Sequence, residues 1–120
     1  MLEKFLYTTK LWFAVHENSL ILDRETRRHR LKGVFRIATI DTGGEQAVAA
    51  FTDEDLMERF LEALGEPEMV QLVTRTPQAL LELLENLRES GYALVGFDPV
   101  PRPVFIPLAT VLNDVRKEVG

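Results

Sequence analysis

Apolar residues in the first half of the chain come in short β-branched and aromatic runs broken by polar residues. "KLWFAV" (10–15), "SLILD" (19–23), "VFRIATI" (34–40) and "EQAVAAF" (45–51) each have the length and composition of a strand. Between the first two, "HEN" reads as a hairpin loop, since Asn tolerates turn geometry. "DTGG" (41–44) sits between the last two, and a Gly-Gly turn flanked by β-rich runs predicts a hairpin.

The period then changes. Thr52 reads as a helix N-cap, with Asp53, Glu54 and Asp55 facing the positive end of the helix dipole in the first turn. Leu56, Met57, Phe60, Leu61 and Leu64 recur at helical spacing, and Gly65 stops the run. "MVQLV" (69–73) predicts a strand. In "TPQALLELLENLRESG", Thr76 caps a helix, Pro77 takes the first helical position and Gly91 closes it, with Leu80, Leu83, Leu84 and Leu87 as the buried stripe. "YALVGF" (92–97) and "PVFIP" (103–107) predict two more strands, and "LATVLNDVRKEV" a closing amphipathic helix.

The order is therefore roughly ββββ-α-β-α-β-β-α. This predicts one α+β domain over residues 1–120, a largely antiparallel sheet covered by two or three helices. The chain has 120 residues, 46% apolar and 28% charged, enough to bury a core without staples. It has no cysteine, which excludes disulfides, thiolate nucleophiles and Cys-based metal sites and fits a reducing compartment. "MLEKFLYTTKLWFAV" lacks the features of a signal peptide, and no apolar run has the roughly 18 residues of a membrane span. A cytoplasmic protein with no membrane contact is expected. The Leu-, Glu- and Arg-rich composition is also that of heat-stable proteins, and a Tm below about 60 °C would count against that reading.

The charge is uneven. Against a net −5, the stretch "DRETRRHRLK" (23–32) holds five basic residues and two acidic ones, a local +3, so the rest of the chain carries −8. Arg24, Arg27, Arg28, Arg30 and Lys32 are the candidate contacts to a partner or to phosphates. Three readings are open: a polar turn whose charges pair with the chain's own acidic helices or protect a strand edge, a patch steering an acidic protein partner, and a phosphate-binding finger. Base stacking has no support there, because the nearest aromatic residue is Phe35.

The stretch "AVAAFTDEDLMERFLEALGEPEMVQLVTRTPQALLELLENLRESGYALVGFDP" resembles the SseB-type N-terminal domain. Members of that family have a strand ending in Phe-Thr, an acidic helix, a Leu-rich helix and a strand ending in Asn-Pro-Gly. Phe51, Thr52, Asp53 and Glu54 match the first mark, Leu80 to Leu87 the helix, and Gly91 to Pro99 the last strand. Here "FDPV" replaces the Asn-Pro-Gly turn, which Asp-Pro can also make. The resemblance implies a small α+β module, and no catalytic residue carries over from it.

Other chemistry finds little purchase. His16 and His29 stand in or beside predicted turns as surface residues; Ser19 and Ser90 lack a nucleophile-elbow context. Asp53, Asp55 and Glu58 have no EF-hand spacing, and "DTGGEQ" forms neither a Walker loop nor a dinucleotide fingerprint, so no metal or cofactor is expected. "FDPVPRPVF", with Pro99, Pro101 and Pro103, predicts an edge or extended segment, either protected from strand pairing or docking in a partner. The expected function is a small non-enzymatic protein-interaction or regulatory domain, self-association included. The alternative is a nucleic-acid-associated regulator using 24–32. A third class, an enzyme using carboxylates plus a histidine, would need Asp98 or Glu17 in a pocket beside His16.

Overall fold

The computed structural model describes residues 10–23, 28–32, 35–98 and 104–119, with the backbone alone at Asp23 and at 28–30. Strand β1 (Leu11–His16) leads through a 3-10 turn (Glu17–Ser19) into a hairpin of β2 (Leu20–Asp23) and β3 (Arg28–Leu31). A second hairpin, β4 (Thr39–Asp41) and β5 (Gln46–Ala50), is followed by α1 (Glu54–Leu64), β6 (Met69–Thr74), α2 (Pro77–Glu89), β7 (Leu94–Phe97), β8 (Val104–Pro107) and α3 (Leu108–Val119). The α+β class and the order of elements are those expected, and the basic stretch contributes a strand of its own, β3.

The pairing is less sequential than the order. β1 pairs antiparallel with β6, from Leu11 opposite Thr74 to His16 opposite Met69. β4, β5, β7 and β8 form a four-stranded sheet in that order, with β5 and β7 parallel. The free edge of β1 joins the two. Trp12 and Phe51 exchange both backbone bonds, at 2.8 and 2.9 Å. Ala38 sends its N–H to Ala14 (2.8 Å) and accepts from the N–H of Ala49 (3.0 Å), so one residue links β1 to β5.

The expected hairpin of β1 with β2 does not form. Leu11, Phe13 and Val15 are buried on one face of β1 and Ala14 on the other, which is the pattern of a central strand needing neighbours on both edges. Glu17–Ser19 form a 3-10 turn instead, capped by His16, whose Nδ1 accepts from the Asn18 N–H at 3.1 Å.

Period-two alternation then sorts the core into two layers. Leu11, Phe13, Val15, Val48, Ala50, Val95 and Phe97 pack on the stripe Leu80, Leu83, Leu84 and Leu87 of α2 and on Leu108, Val111, Leu112 and Val115 of α3. Across the sheet, Ala14, Ala49, Phe51 and Met69 pack on Met57 of α1, with Leu56, Phe60 and Leu61 half-buried around it. Helices therefore cover both faces. The Phe51 and Phe60 rings meet at 5.1 Å in a tilted pair.

Local signals set the helix ends. Thr76 Oγ1 accepts from Ala79 N–H at 3.1 Å with Pro77 next to it, and Gly65 closes α1 at φ 68°. The cap of α1 lies one residue later than expected. Asp53, not Thr52, accepts from the Asp55 N–H (2.8 Å), because the Thr52 hydroxyl is already committed to Asp98.

Candidate interaction surface

Of the five basic candidates, Arg24 and Arg27 lie outside the described residues. The backbones of Arg28 and Arg30 form β3, and Lys32 follows it with an exposed side chain. The register pairs Asp23 with Arg28, Leu22 with His29, Ile21 with Arg30 and Leu20 with Leu31. The hairpin is a two-stranded sheet of its own. Such a ribbon is marginal alone, and it is held by its base. Leu31 is buried and Leu20 half-buried against the helix-covered core, and the Asn86 side chain of α2 donates to the Lys32 carbonyl at 3.4 Å. Buried Ser19 ties the entry, its Oγ accepting the Arg36 N–H at 2.8 Å.

Beyond that base the hairpin carries apolar surface into solvent. Ile21 is 37% and Leu22 54% exposed, the latter the most exposed large apolar side chain among the described residues. One exposed leucine is ordinary. Ile21 and Leu22 are neighbours on a ribbon whose second strand, with the residue after it, carries Arg28, Arg30 and Lys32 in its sequence.

A second exposed edge is β8, where Val104 is 46% and Phe105 40% exposed. This edge differs in its backbone. Leu108 N–H donates to the Ala93 carbonyl at 2.9 Å, in the register that pairs Ile106 with Val95 and Val104 with Phe97. By the alternation of antiparallel ladders, Val104 and Ile106 point their amides at β7, whereas Phe105 and Pro107 point outward. Pro107 has no N–H, so the outer edge of β8 is poor in donors, as protected edges are.

A shallow hollow of about 210 Å³ lies between the 36–39 segment and α1, lined by Arg36, Ile37, Ala38, Phe60, Leu64 and Met69 among others. That is below the ~300 Å³ of ordinary ligand clefts. Asp98 and His16, the pair that a carboxylate–histidine enzyme would use, are not brought together. His16 ends β1 beside Met69, whereas Asp98 accepts from Thr52, which follows the partner of Trp12 at the strand's other end. Four residues of strand separate those ends, about 13 Å. Glu17 is exposed. The acidic first turn of α1 is used locally: Asp53 caps it, and Asp55 pairs with Arg59 at 3.1 Å. No group of three or more His, Asp or Glu that could hold a metal ion occurs among the described residues. No helix among them is long and apolar enough to cross a membrane.

Sequence reasoning missed the Thr52–Asp98 contact. Asp98 stands at φ 48°, the one left-handed non-glycine among the described residues. The signal was the Asp-Pro pair after β7, since Asp is among the residues that tolerate this region. No protein-family model matches the chain, and none of the curated proteins matches it significantly.

Proposed function

We propose that the chain is a small, cytoplasmic, non-enzymatic protein-interaction domain that engages its partner through the β2–β3 hairpin. The observation that carries this reading is the two-stranded ribbon with Ile21 and Leu22 exposed on one strand and Arg28, Arg30 and Lys32 on and after the other. Charge complementarity would steer a partner there, and the two apolar side chains would supply contact area on arrival. The likeness to SseB-type N-terminal domains belongs to the same proposal. It rests on the residues Phe51 to Glu54, Leu80 to Leu87 and Gly91 to Pro99, with Asp98 standing where the family has Asn. Affinity capture from an extract of the source organism, with wild type and with Ile21→Asp/Leu22→Asp as baits, tests the reading. Proteins retained by the wild type and lost from the variant are the expected result. The same retained set from both baits would contradict it.

The basic run favours one other reading, nucleic-acid association through phosphate contacts. Anisotropy of labelled single- and double-stranded oligonucleotides, titrated at about 50 and 200 mM salt, separates the two. Salt-sensitive binding lost in Arg28→Ala/Arg30→Ala/Lys32→Ala would put nucleic acid first. No binding at the lower salt leaves the protein partner.

A further inference from the structure

Resting on that reading, we infer that the partner presents an extended acidic segment, which adds to the hairpin as a third strand along the outer edge of β2. The backbone decides which groups are on offer. Lys32 N–H donates to the Ser19 carbonyl at 2.8 Å, in the register that continues through Leu20–Leu31 and Leu22–His29. Bonded and unbonded pairs alternate along an antiparallel ribbon. Ile21 and Asp23 therefore bond to β3, and Leu20 and Leu22 turn their backbone groups away from it. The Leu20 N–H is satisfied by the Glu17 carbonyl. The Leu20 carbonyl, the Leu22 N–H and the Leu22 carbonyl are left facing outward, with no partner among the described residues.

Two comparisons single out this edge. The other edge of the ribbon runs along β3, where Leu31 is buried in the core. The edge of β8 carries Pro107 where a donor would be needed, whereas β2 has no proline. Strand addition draws its affinity from main-chain bonds and its selectivity from alternate side chains. Successive residues of β2 point to opposite faces, so Ile21 and Leu22 offer apolar contact on both sides of an added strand. Arg28 and Arg30 of β3, with Lys32 after it, select acidic residues in it. A nucleic acid has no amide ladder to pair with this edge, and no Phe, Tyr or Trp stands between Phe13 and Phe35 to stack a base.

The probe is a short labelled peptide alternating Glu with Val and Thr, beside a twin of the same sequence N-methylated at alternate residues. Titration into the ¹⁵N-labelled chain should slow exchange of the Leu22 amide and shift its resonance, with binding weaker at about 200 than at 50 mM salt. The N-methylated twin should bind at least about tenfold more weakly, having the same charge but half the donors. Leu22→Pro should lose a similar factor. Its N–H lies outside the hairpin ladder, so the fold should stay intact, while Leu22→Ala keeps the donor and most of the binding. Equal affinity for the two peptides would overturn the inference. So would a Leu22 amide already protected in the free chain, whether by this chain or by a second copy. If capture is lost with Ile21→Asp/Leu22→Asp while the two peptides bind alike, strand addition fails and the interaction reading stands. If capture is indifferent to those substitutions, the interaction reading itself fails.

Discussion

Asp98 holds Thr52 with both carboxylate oxygens: Oδ1 accepts the Thr52 N–H at 2.8 Å and Oδ2 accepts its hydroxyl at 2.6 Å. The Asp98 N–H donates in turn to the Ala50 carbonyl at 2.8 Å. One residue thereby ties the ends of the two parallel strands to the entry of α1. Hydrogen bonds to a charged group contribute roughly 1.5–3 kcal/mol each, less where solvent competes.

Asp98→Ala should cost about 2 kcal/mol in urea unfolding. Asp98→Gly separates clamp from conformation. Glycine relieves the φ of 48°, so a neutral or stabilising result would mean that the turn, not the carboxylate, sets this residue. The clamp predicts that a clear loss remains in glycine, smaller than that of alanine by about the 1 kcal/mol of strain that glycine avoids. Thr52→Val combined with Asp98→Ala should cost much less than the two single losses added together.

Gly65 and Gly96 should resist alanine for different reasons. Gly65 lies at φ 68° with open space where a Cβ would stand, so Gly65→Ala should cost about 1 kcal/mol in backbone strain alone. Gly65→Asn should recover part of it. At Gly96 a Cβ would lie 2.9 Å from Ile40 Cδ1 and 3.0 Å from Phe105 Cε1. Gly96→Ala should cost about 1–2 kcal/mol, and most of that should vanish in the Ile40→Val/Phe105→Ala background. Equal losses in both backgrounds would contradict the packing explanation.

Much of this fold was legible in the chain because its local signals are strong. Thr76, Pro77 and Gly91 bound α2, and the four-leucine stripe names its buried face. The pairing was not legible. β1 reads as a strand from "LWFAV", but nothing local says that it bonds to β6, because strand partners are chosen by burial across the whole sheet. Thr52 misled for a related reason: its hydroxyl suits a cap, and a carboxylate 46 residues away takes it first. The hairpin was half legible. Its charge stood out, whereas the strand character of 28–31 was hidden because "RHRL" has only one apolar residue.

The edge of β8 should become adhesive if its missing donor is restored. Pro107→Val adds an outward N–H beside exposed Phe105. Sedimentation velocity should then show concentration-dependent association that the wild type lacks at the same concentrations. An unchanged sedimentation coefficient would mean that the proline is not what guards this edge.

If the β2–β3 hairpin is where this chain meets another protein, a crosslinker placed on it should find that protein in the cell. The measurement is in-cell photocrosslinking with a photoreactive phenylalanine analogue at position 22 and, as controls, at positions 105 and 59. A discrete protein adduct is expected from position 22 and none from position 59, where the native side chain is engaged with Asp55 on α1. No adduct from position 22, or the same adducts from all three positions, would contradict the hairpin's role.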